Sequence, residues 1–223
     1  MRNVRITGKP EIPTEIDLLA SDGLAWSGSV SRYSKPENGN DDNPFSQRHY
    51  RQQGTPVDAW ILKDGELTAG SLTEDSLETS PPMFDMKSVS YFRPMMEDGE
   101  FEFEMFADAK KKKLCHVSIG RTALLLKEDG VWRKEMVMPK KANEFVPDEK
   151  IEGSKGVELK DGDWNRVLLR LTGDKATLLV NDKELTTIDV VDAKVMRYPG
   201  LFRYSDQSNA QVRNVKLLSL IHI

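Results

Sequence analysis

The sequence predicts an all-β fold of two packed antiparallel sheets, and three observations lead to this prediction. Short runs of β-branched, aromatic and other apolar residues alternate with turns rich in Gly, Asp and Asn along most of the chain. In residues 100–106, acidic and apolar side chains alternate strictly from Glu100 to Met105, which is typical of a half-buried strand. No window long enough for a helix remains between these strands and turns, and a dozen or more short strands fit a two-sheet sandwich.

The first 56 residues are predicted to be mainly connective. Residues 31–55 are polar, and residues 35–44 within them are dense in turn-forming residues and have no apolar period. We therefore expect a long loop or a partly disordered segment there. Order is predicted to return with a strand at residues 57–62. A turn containing Gly65 follows, because glycine accepts positive φ, and a returning strand begins at Glu66.

The remainder of the chain is predicted to alternate between strands and turns, with a loop at residues 139–156. A strand at residues 88–93 ends at Pro94, and a tight hairpin turn is expected at residues 181–184. The other strands are predicted at residues 100–106, 114–119, 122–126, 131–134, 164–171 and 176–180. The side chains expected in the core are Phe101, Phe103, Met105, Leu124, Leu126, Trp164, Val167, Leu169, Leu178, Val180, Phe202 and Val212.

Composition excludes several classes of protein. A length of 223 residues suits one sandwich that buries its own core, and a single cysteine, Cys115, excludes an internal disulfide. The net charge of −4 gives no basis for a nucleic-acid partner, and the lysine run at residues 110–113 is predicted to be a solvated turn. No apolar stretch is long enough for membrane insertion.

The sequence indicates neither a metal site nor a cofactor. His116 follows Cys115, and neighbours on a strand point to opposite faces, so a buried thiol and an outward imidazole are expected instead of a ligand pair. No Cys or His spacing matches a zinc site. A glycine-rich phosphate loop and a nucleophile elbow are both missing from the sequence.

Three glutamates are the one feature that suggests catalysis. Glu100, Glu102 and Glu104 share one face of the predicted strand, where neighbouring positions are about 6.6 Å apart. A retaining glycosidase needs two carboxyls about 5–5.5 Å apart, so a pair made of Glu102 and Glu104 on a concave strand is geometrically admissible. The favoured interpretation is a solvated strand face, because no second acid-rich strand is available as a partner.

A second candidate site lies near a predicted bend of the chain. Its arginines, tyrosines and polar neighbours suit the hydroxyls and ring faces of a sugar, and they suit equally a structural corner in which they bind backbone carbonyls. The structural corner is the favoured interpretation. The residues are Arg197, Tyr198, Arg203, Tyr204, Asp206 and Gln207.

One block of sequence resembles a known hairpin. Residues 161–167, which include Trp164 and Asn165, and residues 175–185 are similar to the Trp-Asn hairpin of laminin-G-like and concanavalin-A-like domains. This resemblance implies a jelly-roll sandwich in which the tryptophan anchors a core strand. Asp182 stands where these domains usually have a turn glycine, and aspartate tolerates the left-handed conformation.

Further segments resemble one bacterial family, the domain of unknown function numbered fifteen eighty-three. The resemblance spans residues 60–217, and it implies the jelly-roll fold, an extracytoplasmic location and no established activity. The segments that carry it are residues 91–94, 99–106, 120–126, 129–131, 200–207 and 212–215.

Both ends of the chain are predicted to lie outside the domain. Residues 218–223 match the in-frame translation of a sequencing-library adaptor, so we expect them to be an artefact that packs poorly; the alternative is a natural apolar strand. Arg2-Asn3-Val4 is repeated as Arg213-Asn214-Val215, which suggests tandem copies of one domain. The predicted division is therefore residues 1–56 as the end of a preceding repeat with a linker, residues 57–217 as the jelly roll, and residues 218–223.

Taken together, these observations favour a non-catalytic interaction module that binds carbohydrate or protein within a larger bacterial surface or secreted protein. The alternative is a glycoside-active enzyme domain that uses carboxylates on a concave strand. The fold alone does not choose between them, because one fold hosts many functions.

Overall fold

In the computed structural model, two antiparallel β-sheets pack face to face, and the predicted all-β sandwich is confirmed. No helix in the described part of the chain is long and apolar enough to span a membrane. The residues that the structure describes are 14–20, 26–29, 60–69, 87–91, 93–95, 97–111, 113–136, 147–190, 197–204 and 210–219.

The strands divide between the two sheets as follows. Sheet I contains β1 (Glu15–Asp17), β3 (Trp60–Lys63), β4 (Glu66–Ala69), β6 (Gly99–Ala107), β11 (Asp163–Thr172), β12 (Lys175–Val180), β13 (Lys183–Asp189) and β15 (Gln211–Ser219). Sheet II contains β2 (Trp26–Ser29), β5 (Lys87–Tyr91), β7 (His116–Ile119), β8 (Thr122–Lys127), β9 (Gly130–Glu135), β10 (Glu149–Lys150) and β14 (Pro199–Arg203).

The strand order places β6 and β15 near the middle of sheet I. That sheet runs β13-β12-β11-β6-β15-β4-β3, and β1 also pairs with β15. Sheet II runs β10-β9-β8-β7-β14-β5-β2. The hairpin between β12 and β13 turns through Asn181 and Asp182 with φ of 49° and 65°, so Asp182 does adopt the left-handed conformation expected of it.

The core lies between the sheets, and strand alternation decides which side chains enter it. In β6, Phe101, Phe103 and Met105 are fully buried, and the register with β11 sets Val167 opposite Phe103. Each apolar side chain that leaves water contributes about 1.5–3 kcal/mol. The predicted core side chains that are buried are Phe101, Phe103, Met105, Leu124, Leu126, Val167, Leu169, Leu178, Val180, Phe202 and Val212.

One core prediction is wrong, and one predicted core side chain is buried in a second, smaller cluster. Trp164 is only partly buried, because the register pairs it with Phe106 on the outer face of sheet I, and Asn165 takes the inward position next to it. Phe202 is buried outside the main core: it packs with Ala123 and Leu125 in a smaller cluster on the outer face of sheet II.

The predicted division at residue 57 remains a prediction, but two strands that precede it pair with the sheets. β1 pairs with β15, and β2 pairs with β5. Leu218 and Ser219 do not project away as expected, because they continue β15 and pair with Glu100 and Gly99. The echo at residues 2–4, the whole of the loop predicted at residues 31–55 and residues 220–223 lie outside the described residues.

Candidate functional site

Opposite charges alternate across the outer face of sheet I. Its central strand β6 presents the carboxylate ladder, which consists of Glu100, Glu102 and Glu104. Arginines come from the strands on either side: Arg166 and Arg170 from β11, and Arg213 from β15. This acidic strand between two basic strands is held by charge complementarity as well as by the backbone ladder.

Each glutamate of the carboxylate ladder accepts a hydrogen bond from one arginine. Arg170 Nε lies 2.6 Å from Glu100 Oε1, and Arg166 Nη2 lies 2.6 Å from Glu102 Oε2. Glu104 Oε2 accepts from Arg213 Nε at 2.6 Å and from Asn214 Nδ2 at 2.8 Å. Such cross-strand pairs on a partly exposed face contribute about 0.2–1 kcal/mol each.

Arg166 joins the carboxylate ladder to the next hairpin. Besides Glu102, its guanidinium donates to the carboxylate of Asp182 in the turn between β12 and β13. The hydrogen bond to Glu102 is the main cause that raises the pKa of Arg166. Arg166 therefore links its own strand β11 to β6 and to the turn between β12 and β13.

The two catalytic candidates share one face, as predicted, but their surroundings suit structure better than chemistry. The ordinary retaining mechanism needs one carboxyl that carries a proton and a second that is free to attack. Glu102 and Glu104 instead serve as acceptors in charge-assisted hydrogen bonds. These hydrogen bonds hold neighbouring strands together, and a catalytic role for Glu102 and Glu104 remains a prediction.

An aromatic and polar patch adjoins the carboxylate ladder. We define the Trp164 patch as Phe106, Lys113, Trp164, Gln211 and Arg213. The rings of Trp164 and Phe106 meet edge to face with centroids 5.5 Å apart, and the Arg213 guanidinium carbon lies 4.0 Å from the Trp164 ring centroid. Lys113 Nζ lies 5.5 Å from the Phe106 centroid and donates to Gln211 Oε1 at 3.2 Å.

The Trp164 patch combines ring surface with hydrogen-bonding groups on a partly exposed sheet face. That combination suits a sugar, which presents C–H faces to aromatic rings and hydroxyls to polar side chains. The sequence-based interpretation missed this patch because it assigned Trp164 to the core. The available signal was the period of two: Trp164 is out of phase with the inward residues Val167 and Leu169.

A second polar cluster covers part of the outer face of sheet II. Asp148 Oδ1 accepts from Lys134 Nζ at 2.9 Å, and Asp148 Oδ2 accepts from Tyr204 Oη at 2.6 Å. The Tyr204 ring packs edge to face on Phe202, with centroids 5.2 Å apart. Lys134 and Phe202 are buried, so this cluster anchors the segments that carry Asp148 and Tyr204 to the sheet.

Asp148 is expected to make stability depend on pH. Burial raises its pKa, but the hydrogen bonds from Tyr204 and Lys134 outweigh burial, so the pKa lies below the usual value. The carboxylate therefore stabilises the fold fully above the unfolded-state pKa of about 3.9, and this contribution is lost as pH falls through the lower folded-state pKa.

We expect Asp148→Asn to lower the free energy of unfolding by about 1–2 kcal/mol at neutral pH, because two hydrogen bonds to a charged group are lost or weakened. Urea unfolding at several pH values should show the gap from wild type shrinking below about pH 4. Glu152→Gln, on an exposed turn, is the control. A gap that stays constant down to pH 2 would contradict this role.

The arginine and tyrosine candidates do not form one surface. Arg197 donates to Gly173 O at 3.1 Å and to Asp174 Oδ1 at 2.7 Å, and so acts as a corner that holds the β11–β12 turn. Tyr198 accepts a hydrogen bond from Gly120 through its backbone oxygen.

The remaining candidates lie elsewhere. Arg203 is completely buried, whereas Tyr204 lies in the Asp148 cluster. Asp206 and Gln207 lie outside the described residues, so a ligand role for these residues remains a prediction.

The single thiol is inert by its surroundings. Cys115 is fully buried, as expected, and burial raises its pKa far above the usual value. His116 lies on the opposite face, as expected, but it is buried there against Phe202 and Tyr204. Within the described ranges, no group of three His, Cys, Asp or Glu side chains could hold a metal ion.

Together, the two antiparallel sheets define the class of this protein, a concanavalin-A-like jelly-roll sandwich. Residues 83–219 match the family described as Domain of unknown function (DUF1583_N), and the chain belongs to this family. Residues 1–57 match a second family, described as Protein of unknown function (DUF1581). A comparison with curated proteins finds no match.

Solved structures share this fold at low identity. A candidate glycosyl hydrolase from Parabacteroides distasonis is 9% identical, with 93% of this chain and 94% of that chain covered and a TM-score of 0.50. Carbohydrate binding module CBM66 from Bacillus subtilis is 12% identical, with coverage of 70% and 96% and a TM-score of 0.44. The exoplasmic/lumenal domain of VIP36, in a Ca2+/Man3GlcNAc-bound form, is 12% identical, with coverage of 93% and 89% and a TM-score of 0.47.

Proposed function

We propose that this domain is a non-catalytic module that binds carbohydrate through the Trp164 patch, within a larger surface or secreted protein. The observation that carries the proposal is the difference between two neighbouring groups of side chains on the outer face of sheet I. Every carboxylate of the ladder is engaged by an arginine from a neighbouring strand. The aromatic pair beside it remains partly exposed.

The chemistry of the patch supports a glycan as the ligand. Ring faces supply apolar contact area at low entropic cost, and the guanidinium, ammonium and amide groups of Arg213, Lys113 and Gln211 offer donors and acceptors for hydroxyls. The fold shared with a candidate glycosyl hydrolase supports the same ligand class. A protein ligand for this module is the other partner that the sequence suggested.

Trp164→Ala is expected to weaken glycan binding at least about tenfold, which corresponds to about 1.4 kcal/mol. The measurement is binding to a panel of cellulose, xylan, mannan and chitin by affinity electrophoresis and calorimetry. Trp132→Ala is the matched control, because Trp132 lies on the outer face of sheet II. Circular dichroism confirms that both variants fold. Retention of full affinity by Trp164→Ala would move the site elsewhere, and failure of wild type to bind any glycan would reject the ligand class.

A glycoside-active enzyme is the second candidate, because Glu102 and Glu104 do share one face. Under the binding proposal, Glu102→Gln keeps its glycan affinity within a few-fold, because its partner Arg166 lies outside the Trp164 patch. The double variant Glu102→Gln with Glu104→Gln loses only about 0.5–2 kcal/mol of stability. The wild type releases no reducing sugar from the same panel. Turnover by wild type that disappears in the folded double variant would establish the enzyme instead.

A further inference from the structure

The N-terminal segment of residues 14–29 supplies one strand to each sheet. β1 pairs with β15, setting Glu15 opposite Leu218 and Asp17 opposite Lys216. β2 pairs with β5, setting Trp26 opposite Tyr91 and Ser29 opposite Ser88. The two strands therefore lie in different sheets: β2 is the last strand of sheet II, and β1 lies beside β15 within sheet I.

β1 occupies a place on β15 that the rest of sheet I leaves open. One side of β15 pairs along its length with β6, and the other side pairs with β4 only at residues 211–213. A register shift follows, where Asn214 has a φ of 51°. Beyond that shift, β1 takes over the same side, and Leu18 N donates to Val215 O at 2.8 Å.

Two leucines bind this segment into the core. Leu18 is 1% exposed and Leu19 is 8% exposed, and both belong to the main hydrophobic cluster. Asp17 Oδ1 accepts a hydrogen bond from Leu19 N at 2.9 Å, which turns the chain so that both leucines face inward. At the start of β1, Lys216 Nζ lies 2.8 Å from Glu15 Oε1.

These contacts join the regions of the chain that match the two families. β1 and β2 lie within residues 1–57, which match DUF1581, whereas their partners β15 and β5 lie within residues 83–219, which match DUF1583_N. Without the two strands, β5 and residues 216–218 of β15 would lose these backbone partners, and the leucine sites would open to water. Backbone pairing with side-chain pockets is the general way in which a sheet edge takes an extended peptide.

We infer that residues 14–29 act as a strand donor to the rest of the domain. Their binding surface consists of the backbone of β5 and β15 and the buried site of Leu18. This surface holds the segment even when the chain is cut between the segment and the rest of the domain. The occupant is a segment of this chain. It is specified by Glu15, which pairs with Lys216, and by the inward leucines Leu18 and Leu19. The DUF1581 match and the DUF1583_N match then fold as one unit at this interface.

The test keeps the full chain intact during folding. A protease site is placed within residues 36–44, between β2 and β3, and is cut after purification. We expect the N-terminal fragment to remain bound through gel filtration and to be displaced by an excess of a labelled peptide of residues 14–29. Loss of the fragment on cutting, with the unfolding midpoint of the remainder unchanged, would overturn the inference.

Point variants of the same cleavable chain identify the contact. Leu18→Asp is expected to release the fragment at least about tenfold faster than wild type. Thr14→Asp, which is exposed in the same segment, is the matched control and should behave like wild type. If Leu18→Asp fails to fold, Leu18→Ala replaces it, with the same direction of effect expected. Equal retention by Leu18→Ala and Thr14→Asp would contradict the proposed interface.

Discussion

Replacing Phe103 by alanine is expected to lower the free energy of unfolding by about 3–5 kcal/mol, the range for truncating a fully buried aromatic. Phe103 is 0% exposed, its ring centroid lies 5.6 Å from that of Phe101, and Val167 faces it from β11. Removal of the ring leaves a cavity in the core between the two sheets. The measurement is equilibrium unfolding in urea.

Phe106→Ala is the matched control for Phe103, because it is the same substitution on the same strand at an outward position. Its loss should be about 0.5–1.5 kcal/mol, which is typical of an aromatic pair on a partly exposed face. Equal losses at Phe103 and Phe106 would mean that the assigned inward and outward faces of β6 are wrong.

Asn165→Ala is expected to cost about 2–3 kcal/mol, because it leaves several buried polar groups without their partner. The Asn165 amide oxygen accepts from Lys160 N at 2.8 Å and from Asn181 Nδ2 at 2.9 Å. Its Nδ2 donates to Lys160 O and Asp163 O, both at 3.0 Å. One side chain thus fixes the entry to β11 and the hairpin at Asn181.

Two companion variants separate this network from simple loss of volume. Asn165→Asp keeps the shape but turns a donor into an acceptor, so it should be at least as unstable as Asn165→Ala at neutral pH. Thr172→Ala, at the exposed end of the same strand β11, should change stability by less than about 0.5 kcal/mol. A fully stable Asn165→Ala would show that water replaces the amide without loss.

Short sequence patterns correctly predicted the features that depend on neighbouring residues, namely strand alternation and hairpin turns. The alternation in residues 100–106 is confirmed by β6, and the hairpin around Asn181 and Asp182 is where the turn residues predict it. The alternation along β11 also predicts that Trp164 points outward. The prediction that it lies in the core came from the resemblance to domains in which a tryptophan anchors a core strand. A period of two, counted from Val167 and Leu169, is the stronger guide at such a position.

The candidate site depended on contacts that no local pattern contains. Glu104 and Arg213 are 109 positions apart, and Tyr204 and Asp148 are 56 apart. Only the order and register of distant strands bring these pairs together. β1 and β2 were missed for a related reason: strands of three and four residues gain their stability from neighbours instead of from their own sequence.

The shared side of β15 has a consequence for how the chain is made. β4 and β1 both pair with a strand that the ribosome delivers far later, and β6 gains its second neighbour only then. Until residues 211–219 emerge, the acidic face of β6 has arginines on one flank alone, and the core layer above Phe101 and Met105 stays open on the other. Such late, long-range pairing makes folding slow and leaves aggregation-prone intermediates during synthesis. Yield in the cell should therefore depend on how long these intermediates persist as well as on the stability of the finished sandwich.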